Sequence, residues 1–382
     1  MFCTSVIEIS KSALQQNFSF IREMLGTETV FSSVVKGNAY GHGIEEFVPL
    51  ALECGQRHFC VFSSEEARRV REITGDEATT VIMGMISPDE LEWAVQNNVE
   101  FYVFDMARLE GAVRASGKTG QKAVIHIEME TGMNRTGFSE KDLPQVIEFL
   151  KKHNEKLTFR GLCTHYAGAE SIANYFRVTH QIKTFRKLKN RFRKKQLEPE
   201  ICHTACSAAA IRFPSTRMDL ARIGIMQYGY WPNTETYISH LTRGMKDNPL
   251  KRIITWKSRI MSIKEVKTGE FIGYGTAYLA SKNMRIAIVP VGYSHGFSRS
   301  LSNQGRVLCH GERTSVLGSV SMNSFTMDIT DIPAARVGDE VVIIGNQGDL
   351  SLSVASFSEM SNQLNYELLT RLPENIPRKI IE

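Results

Sequence analysis

RHFCVFSSEEARRVREITGDEATTVIMGM, residues 57–85, decides the fold. RHFCVF is a short apolar run rich in β-formers, SEEARRVREITG has the apolar spacing of a helix and closes on Gly75, and TTVIMGM is apolar again. Working outward, the same alternation runs through the first 225 residues. The candidate strands are Val30 to Lys36, Arg57 to Phe62, Thr80 to Met85, Glu100 to Phe104, Lys122 to Met129, Leu157 to His165, Glu200 to Ala205 and Leu220 to Met226. Between them GIEEFVPLALECG, SPDELEWAVQNN and EKDLPQVIEFLKKH read as further helices. Eight strand and helix units in about 200 residues are what a (β/α)8 TIM-type barrel needs, whereas a doubly wound open sheet usually stops at about five to seven strands.

After Tyr230 the texture changes. Beyond a polar connecting stretch through Asn248, the segments RIITWKSRIMSIKEV, RIAIVPVGYS, RVLCHG, TSVLGSV, SFTMDIT and DEVVIIG are β-rich and broken by Gly or charged turns, with little helix until LSVASFSEMSNQL. The expectation is an α/β chain with a barrel over residues 10–240 and a mostly antiparallel β domain over 241–382. The strand-like opening, residues 1–9, is expected to join that second domain.

With 382 residues, 42% apolar and 23% charged side chains, the chain has ordinary globular composition, which excludes disorder and collagen-like structure. Its longest apolar runs, such as Ala287 to Val291, fall far short of the roughly 20 residues that span a bilayer, so no membrane is expected as a partner. MFCTSVIEIS lacks the features of a secretory signal, and a cytoplasmic location is the expectation. Seven scattered cysteines, an odd count without CxxC pairs, read as small buried hydrophobes rather than a disulfide framework or zinc knuckle. The net charge of +5 gathers in one helical segment, Arg177 to Lys195, which reads as a solvated basic face rather than a nucleic-acid surface.

On such a barrel the C-terminal ends of the strands face the active site. The first barrel strand ends in VVKGNAYGHG, which puts Lys36 at the mouth with Gly37, Gly41 and Gly43 behind it. Such a lysine either snorkels to solvent or, partly desolvated, loses basicity and forms a Schiff base with an aldehyde cofactor. His126, His165 and His203 on neighbouring strands also raise a metal site as a rival reading, weakened by the lack of an HxH pair on the first strand.

VVKGNAYGHG resembles the cofactor-lysine motif of the alanine racemase family, and further matches follow in order: METGMNRTGF at 129–138, GLCTHYAGAES at 161–171, HTACSAA at 203–209, ARIGIMQYGY at 221–230, GYGTAY at 273–278, PVGYSHG at 290–296 and GSVSMN at 318–323. The resemblance covers essentially the whole chain. It implies that Lys36 binds pyridoxal 5′-phosphate (PLP) covalently, that Tyr40, Ser207, Tyr366 and the backbone amides of Gly224 and Ile225 hold the phosphate, and that Arg222 meets the pyridine nitrogen. Arginine can only donate, so that nitrogen would stay an unprotonated acceptor. His165 and His203 would lie near the ring and its arginine. Without the motifs, Ser207 also reads as a helix N-cap and Arg222 as the partner of Asp219.

The resemblance further implies racemisation by two bases on opposite faces of Cα, Lys36 and Tyr274. A tyrosine is a weak base and needs a positive or hydrogen-bonding neighbour, for which His165 is the candidate. Tyr274 would come from the partner subunit of a homodimer with shared active sites, and Arg135, Met322 and Tyr293 would contact the substrate. Three motifs depart from the family pattern. Glu128 stands where many members carry a carbamylated lysine that orients the arginine corresponding to Arg135; strand alternation lets its carboxylate point inward, a surface position being the alternative. The usual Met-Asp pair reads Met322-Asn323, and the usual Gly-Tyr-Ala-Asp-Gly reads Gly-Tyr-Ser-His-Gly at 292–296, so two carboxylates are missing where the family places its substrate entrance. Alanine is the expected substrate, with serine or a basic amino acid next, and a PLP-barrel protein that is not a racemase is the more distant alternative. No metal is expected.

Overall fold

The structure, a computed structural model, describes residues 3–242, 247–354 and 365–382. It divides into two compact units: one of Ala13–Ala39 and Phe47–Lys251, the other of Met1–Ser12, Tyr40–Glu46 and Arg252–Glu382.

Strand β1 (Ser5–Ser10) belongs to the second unit. The next eight, β2 (Val30–Val34), β3 (His58–Ser63), β4 (Thr79–Met85), β5 (Glu100–Val103), β6 (Ala123–Glu128), β7 (Leu157–Cys163), β8 (Ile201–His203) and β9 (Leu220–Ile223), form an eight-stranded parallel sheet in the order β8-β7-β6-β5-β4-β3-β2-β9. Its two ends meet at a bridge between Cys206 and Arg222, which nearly closes the barrel. The helices between strands follow sequence rules. Ser63 caps Ser64–Thr74 by accepting from the Glu66 amide, and Ala67, Val70 and Thr74 form the buried face. Asp105 caps Met106–Thr119, which ends on left-handed Gly120. In Tyr175–Lys194 the residues Val178, Ile182, Phe185, Leu188 and Phe192 are buried, and the basic side chains lie on the exposed face.

Alternation sorts the barrel strands into two sets. Phe59, Phe101, Ile125, Ile127 and Ile223 are fully buried on one face. The other face presents polar groups to the barrel interior: Ser32, Glu100, His126, Glu128, His203 and Arg222 are all buried. A barrel interior is ordinarily filled by branched apolar side chains. A polar interior requires every group to find a partner, because an unpaired buried one costs free energy.

In the second unit β1 pairs with β10 (Ile254–Arg259) antiparallel and with the last strand, Arg378–Ile381, in parallel. Strands β11 (Ser262–Val266), β12 (Met284–Val289), β13 (Arg306–Cys309), β14 (Glu312–Leu317), β15 (Phe325–Asp328) and β16 (Glu340–Gln347) complete an otherwise antiparallel sheet. Its core includes Ile272, Met284, Ile286 and Leu317, together with Phe297 stacked on Phe325 at 4.6 Å.

Three local expectations are corrected. The stretch through Asn248 is not merely a polar connection, since Thr234–Leu241 is a helix with a capping box from Asn233 and Thr236. The strand expected to run to Lys36 ends at Val34, and RIITWKSRIMSIKEV breaks at Ile260 and Met261 into β10 and β11. The helix expected in LSVASFSEMSNQL falls largely on residues 355–364, outside the described residues.

Candidate active site

Beyond β2 the chain turns left-handed. Gly37, Asn38, Ala39 and Tyr40 have φ of 63°, 53°, 52° and 52°. A left-handed turn costs roughly 1–2 kcal/mol per residue that carries a Cβ, so something must offset it. The Glu66 carboxylate accepts from the Gly37 amide at 2.6 Å, Arg69 donates to the Asn38 side chain at 2.8 Å, and the Ala39 amide reaches Val35 O at 2.8 Å. Lys36 stands at the head of this turn. The residue is exposed, yet the protein atoms around its amine desolvate it. Desolvation first, then the positive charges of Arg135 and Arg222, lower its pKa, and Glu66 offsets part of the effect.

Arg222 on β9 is buried, with both terminal nitrogens engaged. One donates to His203 Nδ1 at 2.5 Å and to His203 O at 2.9 Å; the other donates to Thr164 O at 2.8 Å and Thr204 O at 3.1 Å. Four of the five guanidinium N–H groups are thus used within the protein, which leaves Nε–H as the remaining donor. The alternative pairing with Asp219 does not occur, since that carboxylate accepts from the Cys202 amide at 2.6 Å.

Ser207 is the first residue of the helix Ser207–Arg212 rather than its cap, and its Oγ accepts from the Gly224 amide at 3.1 Å. Ile225 opens the 3₁₀ turn Ile225–Tyr228, where its own N–H has no partner inside the turn. Ser207, Gly224 and Ile225 are therefore gathered where the last two barrel strands end. One of the expected amides is, however, already donating to the serine.

His165 follows β7 at the mouth. Burial, then the charges of Arg222, Arg135 and Lys36, lower its pKa to about 3, so it is neutral, and of the two roles expected for the neighbour of a tyrosine base, positive or hydrogen-bonding, only the second is open to it. His126 Nδ1 and His203 Nε2 lie 2.8 Å apart, so these nitrogens bond each other rather than converge on an ion. Among the described residues no group of three His, Cys, Asp or Glu side chains could hold a metal.

Glu128 points inward and is buried, but its carboxylate accepts from Thr136 Oγ1 at 2.8 Å and forms no ion pair with Arg135, whose side chain is exposed. Burial raises the Glu128 pKa above the usual carboxylate range, against the smaller effects of Thr136, Arg135 and Arg222. A raised folded-state pKa means that the folded chain holds this proton more tightly than the unfolded one. Stability therefore falls as pH rises from the unfolded value, about 4.3, through the folded one, and the penalty is complete only above the folded value. Glu128→Gln should melt above wild type at neutral pH, and the difference should close in acid. If the carboxylate's charge orients Arg135 at a distance, turnover should fall about tenfold in the same variant. Melting curves at two pH values beside one activity assay check both, and a variant that melts lower than wild type at neutral pH would show the carboxylate to be net stabilised.

In the second unit Tyr40 and Tyr366 have ring centroids 6.1 Å apart. Between them runs a close approach, since a Cβ on Gly41 would stand 1.8 Å from Leu369 O. Tyr293 and Met322 are also brought together: the amides of Tyr293 and Ser294 donate to Ser321 O and Met322 O at 3.1 and 3.0 Å. The Ser294 hydroxyl reaches Asn323 Oδ1 at 2.9 Å and lies 3.2 Å from Nδ1 of His295, so Ser294 stands between Asn323 and His295, the two positions where a carboxylate is missing. Tyr274 is 74% exposed.

A nearly closed parallel barrel with a desolvated lysine, an arginine that keeps one N–H to spare and backbone amides at one mouth defines a barrel enzyme suited to an anionic ligand. Residues 9–232 match the family model "Alanine racemase, N-terminal domain", and residues 253–380 match "Alanine racemase, C-terminal domain". The alanine racemase of Leptospira interrogans is 35% identical over 99% of this chain and 96% of its own, and that of Halothermothrix orenii is 34% identical over 97% and 95%. The crystal structure of alanine racemase from Bacillus anthracis with bound L-Ala-P superposes with a TM-score of 0.90 at 28% identity, covering 100% of this chain and 96% of that one. The chain belongs to the alanine racemase family.

Proposed function

We propose that this protein is a PLP-dependent isomerase that interconverts L- and D-alanine, with residues 10–240 carrying the cofactor and 241–382 supplying the second base. The observation that carries the reading is Arg222, whose one uncommitted N–H matches a ring nitrogen that accepts and does not donate. Within the barrel unit the donors suit the cofactor: an amine of lowered basicity at Lys36, and the Ser207 hydroxyl and the Ile225 amide for its phosphate, to which the family resemblance adds Tyr40, Tyr366 and the Gly224 amide, the last once Ser207 turns to the phosphate. Bound there, PLP supplies a conjugated ring that delocalises the electrons left on Cα when its proton is removed.

Lys36 carries the cofactor covalently and exchanges a proton with one face of Cα; Tyr274 serves the other face. Desolvation lowers the basicity of the Lys36 amine and so favours the unprotonated form that a proton acceptor requires. Neutral His165 acts near the ring by hydrogen bonding, and His203 acts through Arg222. Arg135, Met322 and Tyr293 orient the substrate, with Glu128 as the charge behind Arg135. Ser294 and Asn323 form a neutral pair, which offers no carboxylate to a basic side chain and so favours alanine over basic amino acids.

The enzyme works as a homodimer with shared sites. Exposed apolar side chains support this, among them Tyr274, Phe271, Leu279 and Met322 in the β unit and Phe176 in the barrel. Seven free cysteines suit a reducing, cytoplasmic setting. Among the described residues no helix is long and apolar enough to cross a membrane. Chiral chromatography of a panel of L- and D-amino acids incubated with the PLP-loaded protein tests the proposal. Alanine should racemise fastest, and a chain inert toward every amino acid would overturn it.

A further inference from the structure

The polar interior of the barrel contains an unbroken hydrogen-bonded chain of four side chains. Its outer end is Glu100, the first residue of β5, and its inner end is Arg222. Glu100 Oε2 lies 2.6 Å from His126 Nε2, His126 Nδ1 lies 2.8 Å from His203 Nε2, and His203 Nδ1 lies 2.5 Å from the Arg222 guanidinium. All four side chains are buried. The fold reserves the space, since a Cβ on Gly161 would stand 1.9 Å from His126 Nδ1.

Elementary donor and acceptor rules leave this chain one arrangement. A guanidinium only donates, so His203 Nδ1 accepts and its proton sits on Nε2. That proton points at His126 Nδ1, which must accept, so the proton of His126 sits on its own Nε2. There it meets a group that, ionised, only accepts. Burial alone would raise the Glu100 pKa, but the hydrogen bond from His126 and the charges of the neighbouring groups outweigh it, and the carboxyl ends below its ordinary value. Desolvation and the Arg222 charge hold His203 well below the histidine range, in keeping with a neutral ring. The other groups that face Glu100 fit the same arrangement. Arg160 lies 3.7 Å from its second oxygen, and burial keeps His58 neutral, with a pKa of about 4.

We infer that Glu100 is a positioning residue: through the fixed tautomers of His126 and His203 it sets the orientation in which Arg222 presents its last N–H to the cofactor ring. The chain is not a proton wire, because an arginine at its inner end has no proton to pass on and none to receive. It is a directional strut. Loss of the acceptor at Glu100 frees His126 to move its proton to Nδ1, which would set two N–H groups against each other at His203 and loosen the guanidinium. Because Arg222 touches the cofactor only under the function proposed above, the inference rests on that reading.

Ring ¹⁵N shifts of labelled histidine in the full-length protein test the strut independently of racemisation. Wild type should show His126 and His203 neutral and protonated at Nε2 alone. Glu100→Gln keeps an acceptor oxygen and should preserve both tautomers and, within about threefold, the dissociation constant for PLP. Glu100→Leu should disturb the His203 signals two hydrogen bonds away and weaken PLP binding on the order of tenfold to a hundredfold, as removal of outer partners does at comparable sites. A wild-type His203 protonated at Nδ1, or on both nitrogens, overturns the inference whatever the variants do. So does a folded Glu100→Leu protein with wild-type His203 signals, or a Glu100→Gln protein as impaired as Glu100→Leu. Should Glu100→Leu fail to fold, the wild-type and Glu100→Gln spectra still decide. Failure of the racemase reading is scored separately, by the chiral assay.

Discussion

Lys36→Ala will racemise alanine at least about 10⁴-fold more slowly than wild type, because it removes at one stroke the covalent hold on PLP and one of the two proton-transfer groups. Borohydride reduction followed by peptide mass measurement should place a pyridoxyl group on the wild-type peptide that contains Lys36 and none on the variant. The variant should nevertheless be well folded. Lys36 has a depressed folded-state pKa, caused first by desolvation and then by Arg135 and Arg222. The unfolded chain therefore binds this proton more readily than the folded one, so cofactor-free wild type gains stability as pH rises through the folded value toward the unfolded one, about 10.4, and pays for the charge below it. Without that amine, cofactor-free Lys36→Ala should melt no lower than cofactor-free wild type at neutral pH. An active variant, or a pyridoxyl group elsewhere on the wild-type chain, would remove Lys36 from the mechanism.

The reach of the sequence is clearest at this same lysine. VVKGNAYGHG located Lys36 at the mouth because strand and helix periodicity depends only on which residues are apolar, and the barrel follows from repeating that pattern. The left-handed turn behind Lys36 was not read, although Gly37 and Asn38 are the residue types that tolerate positive φ. Its support, Glu66, is four positions from the strand residue Phe62, and nothing in SEEARR separates it from the other helix acids. Glu100 was missed for a related reason. At the head of EFYV it reads as a surface charge, and only pairing with β6, which sets Tyr102 beside His126, brings its face of the strand to the histidines. A hydrogen bond between strands two apart in the sheet, as from His126 on β6 to His203 on β8, is a property of the rolled barrel, and no local spacing carries it. The charge state of His165 belongs to the same class, because the burial that keeps it neutral, and the three cations that add to it, come from separate segments. The helix Thr234–Leu241, by contrast, was within reach, since Asn233 before Thr-Glu-Thr is a helix-start signal.

Tyr274→Phe will be nearly as inactive as Lys36→Ala toward alanine, with a loss of about 10² to 10⁴, because removing one hydroxyl leaves one face of Cα without its proton donor and acceptor. The position of this tyrosine makes a stronger test possible. Its ring is 74% exposed, and in that state water competes for its hydroxyl and nothing fixes its direction, which a general base must have. In the proposed dimer a second copy presenting its barrel mouth supplies the missing cover. Mixing Lys36→Ala with Tyr274→Phe under conditions of subunit exchange therefore places one intact lysine opposite one intact tyrosine in each mixed dimer, and two lost groups at its other site. Random exchange makes half of the dimers mixed, so about a quarter of wild-type activity should return from two dead parents. Exchange is verified by mass labelling, and the PLP content of the Tyr274→Phe parent shows that its cofactor site is intact. A mixture that exchanges fully and stays as inactive as its parents would mean that each site draws its lysine and its tyrosine from one chain. Tyr274 would then need a conformation in which its own barrel covers it.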